Sequence, residues 1–414
     1  MSGNEEDILI VGGGPAGMLA GLLFARAGIR TLVLEKHADF FRDFRGDTVH
    51  PSTMEILHQL GMLERFLKRP HHRLDQAELL WNGRLMKVGD LSHLPTPAPF
   101  IAMMPQWEFL DFLRDEAAAF PGFALRMEAP VVDFIAAEGR VTGVRLASGE
   151  ELRARRLVIA ADGRDSLVRS GQMMPLENLG APIDVFWFAV PKSGSGNGLR
   201  GCIDGQSLLV LIDRGDYWQC AFVIAKGVAK AIQDRGIAAF RETVRKAAPD
   251  LPELEAALPD WDAVRLLSVS LDRLTCWHRP GLLAIGDAAH AMSPVGGVGI
   301  NLAVQDAVAA ANYLADAIAR GENPDALLHK VQDRRLLPAR LVQRAQRAAH
   351  EGFLQPLLSG KITANKPPLL VRLLNRFPLL RRIPGRLIGL GVRRERLTAP
   401  LASAALAEQQ RHPV

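Results

Sequence analysis

The 414-residue sequence predicts an α/β fold with an inserted mixed or antiparallel sheet and a C-terminal helical region, on three observations. Short, wholly apolar runs at 8–11, 157–160 and 282–285 read as parallel strands buried on both faces. The first run passes through a glycine-rich turn into an apolar helix-forming stretch and a second strand, a βαβ unit within the first 35 residues. Between about 181 and 270 the pattern changes to alternating strands, 207–212 and 217–224 among them, as a separate sheet-rich unit requires.

In chain order, Ile8-Leu9-Ile10-Val11 is the first strand and Gly12-Gly13-Gly14-Pro15-Ala16-Gly17 its turn. Residues 18–27 continue the helix, Gly28 stops it, and Thr31-Leu32-Val33-Leu34 is a strand ending on Glu35. Residues 51–60 read as a helix ended by Gly61. Residues 106–120 place Phe109, Phe112, Leu113 and Ala117 at helical spacing and stop before Pro121-Gly122. Strands at 131–135 and 141–146 flank a turn at Glu138-Gly139. A long helix begins near Gly299, with Ala303, Ala307, Ala310, Leu314 and Ile318 as its buried stripe. Beyond about 345 the chain is helical, punctuated by Pro367, Pro368, Pro378 and Pro384. The expected division is a discontinuous dinucleotide-binding domain (1–75, 97–180 and 271–345), a second domain (76–96 and 181–270) and a basic helical region (346–414).

A composition of 48% hydrophobic and 23% charged residues excludes disordered and collagen-like chains. Three cysteines, Cys202, Cys220 and Cys276, show no CxxC or Cys/His spacing, which excludes a disulfide scaffold and leaves no metal site to expect. Buried reduced thiols and a reducing, cytoplasmic compartment are expected. Residues 1–7 are acidic rather than leader-like, and no uncharged apolar run reaches the length of a membrane span. Residues 331–414 hold 16 Lys and Arg against 4 Asp and Glu. A solvated helical face is the first reading of that excess, and peripheral contact with anionic lipid the second. Nucleic-acid binding is not expected, because aromatic residues do not interleave with the basic ones.

Gly12, Gly14 and Gly17 form a GxGxxG motif in the setting it requires, after a strand and opening a helix. The first glycine permits the turn, the second lets backbone approach a pyrophosphate, and the third lets helix and strand pack closely. The helix N-terminus offers N–H groups to the anion, and Glu35, 18 residues beyond Gly17, can accept hydrogen bonds from a ribose. This is a Rossmann-like unit. Two later segments also follow apolar strands: Ala161-Asp162-Gly163-Arg164, and Gly286-Asp287-Ala288-Ala289-His290 leading to Ser293-Pro294-Val295-Gly296-Gly297-Val298-Gly299-Ile300-Asn301. A strand-end carboxylate can hold a ribityl hydroxyl, and a glycine turn into a helix can bring N–H groups to a flavin ring.

In order and spacing these motifs resemble the FAD-dependent monooxygenases related to para-hydroxybenzoate hydroxylase, over residues 8 to about 320. The resemblance implies that Gly12, Gly14, Pro15, Ala16 and Gly17 line the pyrophosphate and that Glu35, with Lys36, meets the adenosine ribose. It places Arg45 near the flavin, Gln106 at the ribityl-phosphate region and Val131 beside the adenine. Asp162 and Gly163 belong to a motif tied to both FAD and NAD(P)H. Asp287 would hold the ribityl chain, with Pro294, Gly297, Gly299, Ile300 and Asn301 in the segment beside the isoalloxazine. With no second nucleotide fold evident, NADPH or NADH would bind transiently, with Arg42, Arg45, Arg164 and Arg273 as phosphate candidates.

The implied reaction is hydroxylation of a small aromatic or polycyclic, lipophilic substrate by NAD(P)H and O₂ through a flavin hydroperoxide. Candidate catalytic side chains are His50, as a base, and Tyr217, as a substrate contact; the bland alternatives are a helix-entry histidine and a half-buried strand tyrosine. The second tyrosine, Tyr313, reads as packing on the long helix. An apolar pocket of Phe186, Trp187, Phe188, Leu209, Leu211, Trp218 and Phe222 is expected, although the same set also describes an ordinary sheet core. A monomer or homodimer is expected. Two rivals remain open: an FAD-dependent reductase or dehydrogenase on the same scaffold, and a non-catalytic FAD-binding redox module.

Overall fold

The computed structural model describes residues 5–41, 48–171, 173–192, 198–361 and 367–398. At its centre lies a mostly parallel sheet. Its neighbouring strands run in the order His278–Arg279, Leu282–Ala284, Glu151–Ala160, Glu5–Val11, Thr31–Leu34 and Phe123–Arg126. Arg140–Leu146 pairs antiparallel with the start of Glu151–Ala160, and Val131–Ala137 pairs with Arg140–Leu146. Alternation assigns the two faces. Ile8, Ile10, Leu157 and Ile159 pack on the helices Pro15–Arg26, Gln106–Ala117 and Gly299–Ala319. Leu9, Val11, Val158 and Ala160 pack under Phe134, Val141 and Val144 of the hairpin. Both faces are covered, which is why these strands read as unbroken apolar runs.

A second sheet orders Arg265–Ser268, Ile183–Pro191, Tyr217–Ala225, Ser207–Asp213, Leu199–Asp204, Gln76–Trp81 and Arg84–Asp90. Its outer face carries Phe186, Phe188, Leu209, Leu211, Trp218 and Phe222, packed on Phe240 and Val244 of the helix Ile237–Ala247. The Phe186, Phe188 and Phe222 rings meet Phe240 edge-on, at 5.6, 5.7 and 5.3 Å between centroids. The inner face carries Val185, Trp187, Ala221 and Val223 in one cluster with Ile101, Met103, Leu390 and the partly buried Val295. The expected pocket set therefore divides. Trp187 lies on the inner face, and the other six residues are core between sheet and helix.

The helix Leu328–Ala349 runs across the expected boundary at 345 and continues through a π-helical turn, His350–Leu354. Helices Leu369–Arg376 and Pro378–Leu390 cover the edge strand Arg84–Asp90, where Asn375 Oδ1 accepts the Lys87 N–H at 2.9 Å. The chain then returns to the first domain. Arg394 pairs with Glu55 at 2.6 Å, the Leu397 N–H reaches Gln59 Oε1 at 2.8 Å, and Glu395 meets Arg334 and Arg335 at 2.7 and 3.2 Å. The described residues beyond 345 thus pack on both bodies, 353–390 largely on the second sheet and 394–397 on the first domain. Tyr313 corrects its expectation too: it is an exposed residue of Gly299–Ala319. Among the described residues no helix is long and apolar enough to cross a membrane.

Candidate active site

Adjacent parallel strands deliver the sequence motifs to one edge of the central sheet. Gly12 follows Val11, Glu35 follows Leu34, Asp162 lies just beyond Ala160, and Gly286-Asp287 lies just beyond Ala284. All four sit at carboxyl ends, where ligands of open α/β sheets bind. Gly12 has φ +104°, and a Cβ there would lie 2.4 Å from the Ala161 carbonyl oxygen, so the first motif touches the Asp162 turn. A Cβ on Gly286 would meet the side chains of Ala16 and Ala303 at 3.0 and 3.4 Å, so the segment holding Asp287 touches both cofactor-type helices.

The residues fit a dinucleotide, and two cradles carry that fit. The helix Pro15–Arg26 starts at Gly14 with no side-chain cap; Pro15 brings no N–H, and the first-turn N–H groups of Ala16 and Gly17 stand at the open end. Nothing lies within 4 Å of where a Gly14 Cβ would be. A Cβ on Gly17, by contrast, would lie 1.9 Å from the Gly12 carbonyl oxygen. The helix Gly299–Ala319 also starts without a side-chain cap, and a Gly299 Cβ would meet nothing within 4 Å. Glu35 accepts the Gly13 and His37 N–H groups at 2.9 and 3.1 Å, which fixes the glycine turn beside it. Lys36 is exposed there, and Val131 and Gln106 are half-buried, Gln106 opening its helix.

Between the two cradles lies a polar cluster. Asp162 Oδ2 accepts the Leu167 N–H at 2.9 Å, while its buried Oδ1 accepts none among the described groups. Burial pushes this carboxyl above the usual carboxylate range, against hydrogen bonds from Ser166 and Leu167 and the charge of Lys36. Gly163 takes the left-handed region, φ +86°. Arg164 donates to Asp287 Oδ2 at 3.1 Å and to the Met292 carbonyl at 3.0 Å, and its third nitrogen is buried with no partner. An orphaned carboxylate oxygen and an orphaned guanidinium nitrogen two residues apart in one turn suit a hydroxyl- and phosphate-bearing ligand. Arg164 is half-buried and held in an ion pair with Asp287. Arg273 is likewise engaged, with Glu177 and with Gln343 at 3.0 Å. Arg42 and Arg45 lie outside the described residues.

The glycine segment is held from three directions. Pro294 and Gly297 close a turn through a 3.0 Å hydrogen bond, and the Gly297 carbonyl accepts from the Thr48 hydroxyl at 2.8 Å. His50 is fully buried, with Nε2 3.1 Å from the Gly297 carbonyl and Nδ1 2.8 Å from that of Ile388. A neutral ring donates to one of them at a time, and burial pushes its pKa down although both carbonyls pull it up. With both nitrogens facing carbonyls, His50 is not placed as a base; it ties the C-terminal helix to the segment. Ile300 and Asn301 are buried in the first helical turn, and Asn301 Oδ1 accepts from Ser52 and Thr53 at 2.7 and 3.0 Å. From the far side, Gln346 bonds Ser293 and Val295, and His350 Nε2 lies 2.9 Å from Ser293 Oγ.

Beneath the Asp287 turn is a buried charge cluster. Asp306 accepts the Gly286 N–H at 3.0 Å and meets His290 at 2.6 Å and Arg335 at 3.0 Å. Burial alone would raise the Asp306 carboxyl, but His290 and Arg335 hold it below the usual range. Tyr217 opens its strand in the alternation of Gln219, Ala221 and Val223, so it belongs to the inner face, at its outer end. Thr48, Ser52, Thr53, Asp306, Arg335, Gln346 and His350 were not foreseen from the sequence. Their partners are far away in the chain, and no local spacing marks them.

Glycine cradles at two helix starts, with acids at neighbouring strand ends, define a dinucleotide-binding flavoenzyme. The model of the FAD binding domain family matches residues 5–345. The 6-methylpretetramide 4-monooxygenase of Streptomyces rimosus is 31% identical over 385 residues, 92% of this chain and 91% of that protein. The para-nitrophenol 4-monooxygenase of a Pseudomonas species is 26% identical over 342 residues, 80% of this chain and 83% of that one. Among solved structures, the OxyS anhydrotetracycline hydroxylase of Streptomyces rimosus superposes with a TM-score of 0.73 at 24% identity, covering 94% of this chain and 77% of that one. The chain belongs to the FAD-dependent aromatic monooxygenase family. It is an FAD-dependent oxidoreductase of the monooxygenase type.

Proposed function

We propose that the chain hydroxylates an extended, polycyclic aromatic small molecule held between the segment 293–301 and the inner face of the second sheet. The observation that carries this reading is the shared buried cluster of Val295 with Val185, Trp187, Ala221 and Val223, which sets an apolar surface beside the flavin-type segment. The names of two relatives, 6-methylpretetramide 4-monooxygenase and aklavinone 12-hydroxylase, support a polycyclic substrate class.

Residues 76–96 and 181–270 are assigned to the substrate domain, and residues 1–75, 97–180 and 271–345 to FAD. Gly12, Gly14, Ala16 and Gly17 bind the pyrophosphate of FAD, Glu35 and Lys36 its adenosine ribose, and Val131 flanks its adenine. Gln106, Asp162, Gly163 and Asp287 take the ribityl side. Pro294, Gly297, Gly299, Ile300 and Asn301 orient the ring. The chemistry that bound FAD supplies is hydride acceptance from NAD(P)H and activation of dioxygen. The chain's own contribution is an apolar face that positions the substrate ring and excludes water. Tyr217, at the rim of that face, contacts the substrate's polar edge. No side-chain base is assigned.

The test is the visible spectrum of the purified protein, reduced anaerobically with NADPH and then re-aerated, followed by NADPH oxidation with added phenols. A flavin band that bleaches and returns in air, with oxidation stimulated by multi-ring phenols above single-ring ones, is the expected result. Stimulation confined to single-ring phenols overturns the polycyclic class. Absence of a flavin band after FAD addition overturns the whole reading.

A further inference from the structure

The helices Leu369–Arg376 and Pro378–Leu390 turn few large apolar residues inward, Val371 on the Trp81 and Met86 cluster and Ile388 and Leu390 on the second sheet. A helix docked on a domain normally turns its large apolar residues inward. Here the buried residues of Pro378–Leu390 are Gly385, Gly389 and Leu390. A Cβ at Gly385 would lie 1.9 Å from the Asp90 carbonyl oxygen, and one at Gly389 would lie 2.6 Å from the Leu94 side chain. Close backbone approach attaches this helix to the body. Three large side chains go the other way: Leu379, Ile383 and Leu387 are 69%, 60% and 57% exposed and recur every fourth residue, forming one stripe. Leu369 and Leu370 on the preceding helix are 67% and 66% exposed, and Phe377 between the helices is 48% exposed. Isolated exposed leucines are ordinary, but a contiguous set on two consecutive helices is not.

The charge carried by this stretch of the chain is of one sign. No Asp or Glu occurs from Gly352 to Arg394, while nine Lys and Arg do. Arg372, Arg376, Arg382 and Arg386 are exposed and form no ion pair with a carboxylate among the described residues. Arg381 is spent internally, on the carbonyls of Leu374 and Asn375. Exposed leucines beside guanidinium groups, of which only Arg382 feels a neighbouring carboxylate, Asp90, complement an apolar phase bounded by phosphates.

We propose that the hairpin formed by these two helices is a peripheral docking surface for an anionic lipid bilayer. Leu379, Ile383 and Leu387, with Leu369, Leu370 and Phe377, enter the boundary between headgroups and acyl chains, and the four exposed arginines meet lipid phosphates. The Ile388 carbonyl, bonded to His50, lies on the inward side of the same helix. The inference goes beyond the oxygenase reading and does not depend on it.

The test is co-sedimentation of the full chain, loaded with FAD, with vesicles rich in phosphatidylglycerol and with vesicles of phosphatidylcholine alone, at low and high salt. Binding to the anionic vesicles, weakened by salt, is the expected result. A Leu379→Ser, Ile383→Ser, Leu387→Ser variant and an Arg372→Gln, Arg376→Gln, Arg382→Gln, Arg386→Gln variant should each bind about tenfold less. Both should keep the flavin spectrum and vesicle-free NADPH oxidation, which separates this outcome from failure of the oxygenase reading. Equal binding to both vesicle types, no binding to either, or undiminished binding by the serine variant overturns the proposal. A vesicle-free dimer that the serine variant abolishes, without lipid binding, overturns it in favour of a second copy of the chain.

Discussion

Gly14 and Gly17 are three residues apart, and a methyl group added to each meets different surroundings. At Gly14 it enters space where nothing lies within 4 Å; at Gly17 it lies 1.9 Å from the Gly12 carbonyl oxygen. Gly14 has φ −73°, which alanine adopts readily. Gly14→Ala should leave the stability of the FAD-free chain within about 0.5 kcal/mol, yet weaken FAD binding at least about tenfold by filling the pyrophosphate cradle. Gly17→Ala should destabilise the chain itself by about 1–3 kcal/mol, because backbone must move. Thermal unfolding without FAD and flavin fluorescence titration separate the two; equal losses in both assays at Gly14 would remove it from the cofactor site. Gly12, Gly14, Gly17 and Glu35 were legible in the sequence because a strand, a turn, a helix and an acid lie within 35 residues. Thr48 and His50 were not legible as supports of Gly297, since their hydrogen bonds span 249 and 247 residues.

At the scale of elements, the helix Gly299–Ala319 does two jobs. Its open first turn faces the cleft, while Asp306, two turns further in, holds the Gly286 N–H, His290 and Arg335. Asp306→Asn puts a neutral amide between His290 and Arg335 while Glu395 still pairs with Arg335, so the loss should be about 1–3 kcal/mol, that of weakened charge-assisted hydrogen bonds. Because Gly286 precedes Asp287, FAD should bind more weakly than the stability loss alone explains. Denaturant titration with flavin titration measures both, and unchanged FAD affinity would confine Asp306 to a structural role. The second sheet shows where sequence reasoning stops. Phe186, Trp187 and Phe188 are consecutive and all buried, so alternation cannot tell which face meets a helix and which meets the cofactor segment. The choice is made by Phe240 on one side and Val295 on the other, both remote in sequence. The same blindness placed a boundary at 345, inside a helix whose Gln346 grips Ser293 four residues before Gly297.

For the whole molecule, three histidines and Asp306 push stability one way with pH, while Asp162 and Asp272, whose carboxyls burial raises, push it the other way in the acid range. Burial lowers the pKa of His50 against its two carbonyl partners, and burial also lowers those of His278 and His350. Asp306 is held low as well, its burial overcome by His290 and Arg335. A group whose folded pKa is depressed takes up its proton more readily in the unfolded chain, so stability rises with pH across its range. For the histidines the stabilisation is present above about pH 6.5 and lost as pH falls toward their folded values; the Asp306 contribution is lost at lower pH still. Melting temperature should therefore fall below about pH 6.5, and His50→Asn should flatten part of that slope while loosening flavin retention. A slope identical in wild type and variant would remove His50 from the acid response.

The closing of the cofactor cleft by residues far along the chain sets an order of events during synthesis. The glycine turn is made first, but its cleft gains the Asn301 turn only after nearly 300 residues, and the Glu395 clasp on Arg335 only near the end. At ribosomal speeds of about 5–20 residues per second, the nascent first unit waits on the order of tens of seconds before it can retain FAD. Flavin retention is thus expected to require the segment around Asn301, and a chain truncated before it should hold FAD more weakly than the full chain in flavin fluorescence titration.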